Sequence, residues 1–203
     1  MKLSTQLDIN RIQALTDSIF AVAMTILILE IRIPLQLNSI HLTLYFFRNT
    51  LSELFIYFIS FITLGIFWIG SHFHHNLITQ TDRISSWLNI FFLMMICMIP
   101  LSQQFLNHYT HEKLSIIFYC INLILASLFH YYMLIYAWKK KYVKPLLTPE
   151  YYVNAKHRIL IPVYIYLTII LVSYYSTNIA IYLFLIPFVL HILPERGNKE
   201  LSV

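Results

Sequence analysis

Arg11, Thr16, Asp17, Ser18 and Thr25 stand among the apolar residues of the run from Arg11 to Pro34, RIQALTDSIFAVAMTILILEIRIP. A carboxylate, a guanidinium and three hydroxyls can pass a cation, relay a proton or join helices. A second concentration follows at Trp68, His72, His74 and His75, with Asn89 further on. Histidines there suit proton transfer, metal ligation or pH-sensitive hydrogen bonding. Enzyme chemistry lacks support, because no nucleophile–base–orienter set accompanies them. A resident metal is equally unsupported, since a site needs about three ligands and these histidines come without HExxH or a Cys or acidic set. We expect a polar network instead, with Trp68 and His72 donating hydrogen bonds toward Asp17.

The elements that hold these residues are membrane helices. The chain has 203 residues, 59% hydrophobic and 11% charged, with mean hydropathy +0.68. A soluble domain carries about 25% charged residues, so this one cannot cover a soluble surface. The 15 Tyr and 15 Phe suit helices in lipid with aromatic belts at the interfaces. Only Gly65, Gly70 and Gly197 are glycines, which excludes glycine-rich phosphate loops and a TVGYG carbonyl filter. Cys97 and Cys120 fall in apolar runs and read as buried thiols. MKLSTQLDINR lacks a signal-peptide pattern, so the first apolar segment is expected to remain.

Spanning takes about 20 apolar residues, and hydropathy divides the chain into six such spans. They run from Arg11 to Ile33, Leu51 to Asn76, Ile84 to Asn107 (holding Pro100), Leu114 to Trp138, Ile159 to Tyr175 and Asn178 to Leu193. With both termini in the cytoplasm, the inner side holds Lys2, Arg11, Arg83, Lys139, Lys140, Lys141, Lys144, Lys156, Arg158, Arg196 and Lys199. The outer side holds Arg32, Arg48 and Lys113. That asymmetry obeys the positive-inside rule. The basic loop KKKYVKPLLTPEYYVNAKHR sets topology and attracts headgroups. No repeat or linker divides residues 1–203, so the fold class is a single all-α integral membrane domain.

Charge at the bilayer centre costs at least about 2.5–3.5 kcal/mol, so the first helix must turn its polar side to protein or water. Ser18, Val22, Thr25 and Leu29 follow at steps of four, three and four and form one narrow stripe. Such a stripe is either a helix-packing face or, where several copies meet, a pore wall with apolar constrictions that gate by dewetting. Arg11 and Asp17 are six apart and do not pair within the helix. Each therefore needs partners on other helices.

Arg11 followed by Leu15-Thr16-Asp17 resembles the R-x-x-x-F-S-D signature of the transmembrane protein 175 family, the lysosomal and bacterial potassium channels. SIFAVAMTILILEIRIP continues that family's first-helix pattern. Trp68, His72 and His75 resemble its second helix, and Asn89 and Pro100 its third. The resemblance covers the first half closely and the rest by topology, and the length is that of the bacterial single-repeat form. It implies a homotetramer whose first helices line a central pore, in a bacterial inner membrane. It implies potassium-preferring conduction with potassium as permeant and no other cofactor. By the resemblance, Val22 takes the narrowest point, with Thr25 and Leu29 the next layers and Ser18 on the same wall. Arg11, Leu15, Thr16, Asp17, Trp68, His72, His75 and Asn89 are implied to serve helix packing. Leu15 and Thr16 stand where Phe and Ser are usual. Val22 is smaller than the usual isoleucine or leucine, which implies a wider, less selective constriction.

The competing reading is a proton-coupled secondary transporter using Asp17 and the second-helix histidines, although carriers usually show internal repeats and broken helices. Nucleic acid is not an expected partner, because the +5 charge sits in loops without an aromatic–basic recognition motif.

Overall fold

The structure, a computed structural model, describes residues 8–31, 50–145 and 147–192. It is helical: α1 (Ile9–Leu29), α2 (Leu51–Leu77), α3 (Arg83–His108), α4 (Lys113–Lys139), α5 (Pro149–Ser173), α6 (Thr177–Leu183) and α7 (Leu185–Ile192). The first five are long and apolar enough to cross a membrane, and the chain is a multi-pass membrane protein.

Local chemistry sets the boundaries. Asp8 caps α1 by accepting from Asn10 N–H at 2.9 Å, and Asp82 caps α3 through Ser85 N–H at 2.9 Å. Each bond satisfies an orphan donor of the first turn. Thr148 caps α5, and Pro149 opens it, where its missing N–H costs nothing. The sixth apolar segment is present but broken at Phe184 into α6 and α7. At 1.5 Å per residue, residues 177–192 reach only about 24 Å, short of the roughly 30 Å hydrocarbon layer. The first helix ends at Leu29 with Glu30 as its C-cap, short of the expected Ile33, and Ile33 and Pro34 lie outside the described residues. So do Lys2, Arg32, Arg48, Leu193, Arg196 and Lys199.

The core is built around α3 and α4, which share the most extensive interface. Phe20 of α1 meets Phe92 of α3 at 6.0 Å between ring centroids, and Phe67 of α2 meets the same ring at 6.1 Å. Tyr119 of α4 is buried, its hydroxyl 2.9 Å from Ser60 Oγ of α2, and its ring packs on Phe184. Cys120 is buried as expected, whereas Cys97 is exposed on α3. A Cβ on Gly70 would lie 2.9 Å from His130 Cε1, so the missing side chain lets α2 and α4 approach.

One end of the bundle is clamped by its loops. Thr79 N–H donates to Tyr142 C=O at 2.6 Å, and Lys144 N–H donates to Leu77 C=O at 2.9 Å. Tyr136 and Tyr142 hydroxyls reach Asp82 Oδ2 at 2.5 and 3.4 Å. Partial burial pushes the Asp82 carboxyl up. The bonds from Ser85, Tyr136 and Tyr142 and the Lys140 charge outweigh it and hold the carboxyl below the usual carboxylate range. The same end carries Arg11, Arg83, Lys139, Lys140, Lys141, Lys144, Lys156 and Arg158. Among the described residues only Lys113 lies at the other end.

Candidate functional site: the two faces of the first helix

The faces of α1 have opposite environments. Thr16, Phe20, Ala23 and Leu27 are buried against α2 and α3. Ser18, Val22, Thr25 and Leu29 lie on the opposite side and are exposed, Val22 at 56% and Leu29 at 75%. At 3.6 residues per turn the two sets are separated by about 160°. Packing among the described residues therefore does not cover the stripe.

Two polar bonds fix the buried side. Asn89 Nδ2 of α3 donates to Thr16 Oγ1 at 3.2 Å. Thr16 in turn donates to the Ile12 carbonyl at 2.9 Å. Trp68 Nε1 of α2 donates to Asp17 Oδ1 at 2.9 Å. The structure thus brings together Thr16, Asp17, Trp68 and Asn89 at the junction of three helices.

The histidines are placed differently from the sequence expectation. His72 does not reach Asp17: its Nδ1 lies 3.5 Å from Gln13 Nε2, and its ring is 5.7 Å from that of Trp68. One helical turn separates Gln13 from Asp17, so the offset is a matter of register. His75 Nδ1 bonds the Ser71 carbonyl of its own helix at 2.8 Å. Gln13 was not singled out by the sequence, yet its place one turn before Asp17 puts it on the α2-facing side.

Arg11 and Leu15 lie apart from this junction. Both are exposed, Leu15 at 48%. Arg11 has no side-chain bond to another described residue. They extend the stripe instead: Arg11, Leu15, Ser18, Val22, Thr25 and Leu29 follow at steps of 4, 3, 4, 3 and 4. That spacing is the seam of helices that pack around a common axis.

The stripe hydroxyls are internally anchored. Thr25 Oγ1 donates to Val22 C=O at 2.8 Å, and Ser18 Oγ donates to Ala14 C=O at 2.8 Å. With each proton committed to backbone, the oxygens turn lone pairs outward, the polarity a cation needs. Beside the stripe an open groove of about 410 Å3 runs between α1 and α3, lined by Ser18, Val22, Ile26, Glu30, Pro100 and Gln104 among others. Among the described residues no group of three or more His, Cys, Asp or Glu is placed to hold a metal ion.

The family described as the endosomal/lysosomal potassium channel TMEM175 matches over residues 11–100. Those residues are similar to the TMEM175 family. The matched stretch holds α1, α2 and most of α3, the elements that carry the junction. A potassium channel of Streptomyces collinus is 28% identical over 103 residues, 51% of this chain and 50% of that protein. A potassium channel of Chamaesiphon minutus is 29% identical over 107 residues, 51% of this chain and 52% of that protein. The aligned stretch thus spans about half of these TMEM175 relatives. The endosomal/lysosomal proton channel TMEM175 of Gallus gallus is 29% identical over 143 residues, 64% of this chain and 28% of that one. In structure, the fold matches the crystal structure of a lysosomal potassium-selective channel TMEM175 homolog from Chamaesiphon minutus. The TM-score is 0.76 with 20% identity, over 90% of this chain and 95% of that one. The TMEM175 fold therefore extends beyond the half matched by sequence.

Proposed function

We propose that this protein is a potassium-preferring cation channel, and that its 203 residues act as one channel domain in a homotetramer. Four α1 helices surround the pore, with Val22, Thr25 and Leu29 as successive layers and Ser18 on the same wall. Conduction is passive and needs no catalysis or resident cofactor. The potassium ion is the permeant, and the setting is a bacterial inner membrane.

The observation that carries this reading is the exposed face of α1. A helix of this hydropathy leaves a seam of Leu15, Val22 and Leu29 uncovered while its opposite face is packed. Copies of α1 would bury that seam around an axis, and the groove between α1 and α3 gives a neighbouring helix room to enter. Arg11 on the same seam then finds its acceptor across the subunit boundary, because an unpartnered charge there is too costly. Thr16, Asp17, Trp68 and Asn89 position α1 and do not touch the ion.

An apolar ring narrows the path without offering ligands, so passage requires loss of hydration water. Potassium holds its water less tightly than sodium and loses it at lower cost. The outward oxygen of Thr25, one turn beyond Val22, supplies partial compensation. The carrier reading gains no support from Asp17, whose carboxylate is engaged by Trp68. Potassium efflux from proteoliposomes, measured beside sodium under matched gradients, tests the proposal. Potassium-preferring, non-saturating flux supports it, and saturable flux dependent on a proton gradient would replace it with the carrier.

A further inference from the structure

A cavity of about 170 Å3 lies between α2, α4, α5 and α7, away from the α1 seam. Its walls are mostly apolar, including Ile69, Phe73, Ile159 and Pro162. Ile69 and Phe73 are also exposed on the outside of the bundle, so the cavity opens toward the bilayer. It is slightly larger than a roughly 150 Å3 cavity that holds benzene, enough for part of an amphiphile and not for the whole.

Polar side chains also line it, among them Asn154, Arg158, His191 and His74. Arg158 and His191 line the cavity from α5 and α7. Arg158 lies nine residues into α5, about 13 Å along a helix, where an arginine reaches the headgroup boundary. Buried in the wall is His74, only 5% exposed. Its ring stands 5.7 Å from that of His75 and 5.9 Å from that of His130. It makes no hydrogen bond with another described residue. His130 meets it edge to face, with the rings at 87°, and forms no hydrogen bond to it. A buried imidazole without a partner is costly, and this one borders the cavity.

We propose that the cavity binds an anionic phospholipid of the surrounding membrane. Arg158 takes the phosphodiester in its bidentate fork. His74 donates to an ester carbonyl of the glycerol backbone, and the acyl chains leave along Ile69 and Phe73. The ester explains why a lipid and not free phosphate fits: the cavity has a cation at its rim, a donor in its wall and apolar surface between. The excess of Lys and Arg at this end, worth about 1 kcal/mol each near an anionic leaflet, concentrates the same class of lipid. This site does not depend on the conduction reading.

The test is native mass spectrometry of delipidated protein in detergent, titrated with phosphatidylglycerol, phosphatidylcholine or soluble glycerol phosphate. The wild type is expected to retain phosphatidylglycerol at least about tenfold more strongly than phosphatidylcholine, the loss a charge-assisted bond implies. Arg158→Ala and the cavity-filling Ala155→Phe each lower that retention by a similar factor, whereas Lys113→Gln, at the other end of the bundle, leaves it unchanged. Ala155→Phe keeps every charge, so it decides the matter even where Arg158→Ala does not fold. Equal retention of the two lipids, or unchanged phosphatidylglycerol binding in Ala155→Phe, overturns the site. Arg158-dependent binding of glycerol phosphate as strong as that of the lipid overturns the acyl part.

Discussion

Trp68 Nε1 and Asp17 Oδ1 lie 2.9 Å apart, joining α2 to α1 one residue from the buried Thr16 and one from the exposed Ser18. The bond therefore sits where α1 turns from its packed side to its open side. A rotation of α1 about its axis would break it, so it sets which residues face outward.

Removal of that donor by Trp68→Phe is expected to cost about 1 kcal/mol or somewhat more, the value of a hydrogen bond to a charged group at a partly exposed site. The measurement is the thermal midpoint of purified protein. Asp17→Asn keeps an acceptor and loses less. Identical midpoints for Trp68→Phe and wild type would show that the bond does not hold α1.

The Asn89–Thr16 bond is buried, and Asn89 Oδ1 has no partner among the described residues. Thr16→Val leaves the whole amide of Asn89 unsatisfied, at a cost of about 1–3 kcal/mol. Combining Thr16→Val with Asn89→Leu should recover much of it, because two apolar groups replace the pair. A double-mutant cycle read by denaturation checks this, and strict additivity would deny the coupling.

Much of this was legible in the sequence. The five long helices follow from hydropathy, because lipid demands continuous apolar runs. The stripe was visible because 3.6-residue periodicity maps directly to faces. Trp68 was readable as a donor to Asp17 from residue type, whereas Asn89 was readable only as a polar residue within the membrane and its bond to Thr16 needed the fold. The pairing of His72 with Gln13 was not readable, since register between two helices depends on packing along their whole length. Arg11 and Leu15 stand close to Thr16 and Asp17 in the motif, yet angular position puts them on the seam and not at the junction. The break at Phe184 also escaped notice, as the run around it is uniformly apolar. Gly70 was plain in the sequence, but the His130 ring against it requires the fold.

At Gly70 a Cβ would press on His130 Cε1 at 2.9 Å. Gly70→Ala gains about 1 kcal/mol of helix propensity and loses about 1–3 kcal/mol to overpacking, so a net loss is expected. His130→Ala beside it should relieve the clash. Thermal midpoints of the two single variants and the double variant measure this. A more stable Gly70→Ala protein would mean that α2 and α4 are free to move apart.

At the clamped end, the Asp82 carboxyl is held below its ordinary range. Its contribution to stability is therefore present above the unfolded value of about 4 and is lost as pH falls through the lower folded value. Wild type should lose stability on acidification below about pH 4, and Asp82→Ala should lose it less steeply. Thermal midpoints across that range test the sign. Parallel pH profiles for the two proteins would remove Asp82 from the account.

The most direct measurement is the potassium-to-sodium flux ratio of the wild type beside Val22→Ala and Val22→Ile in proteoliposomes of matched protein content. The account predicts that Val22→Ala raises basal cation leak and lowers the ratio, because it removes apolar bulk from the narrowest layer. It predicts that Val22→Ile raises the ratio. Flux and ratio unchanged in both variants, with the proteins folded and assembled, would contradict a pore lined by the first helix.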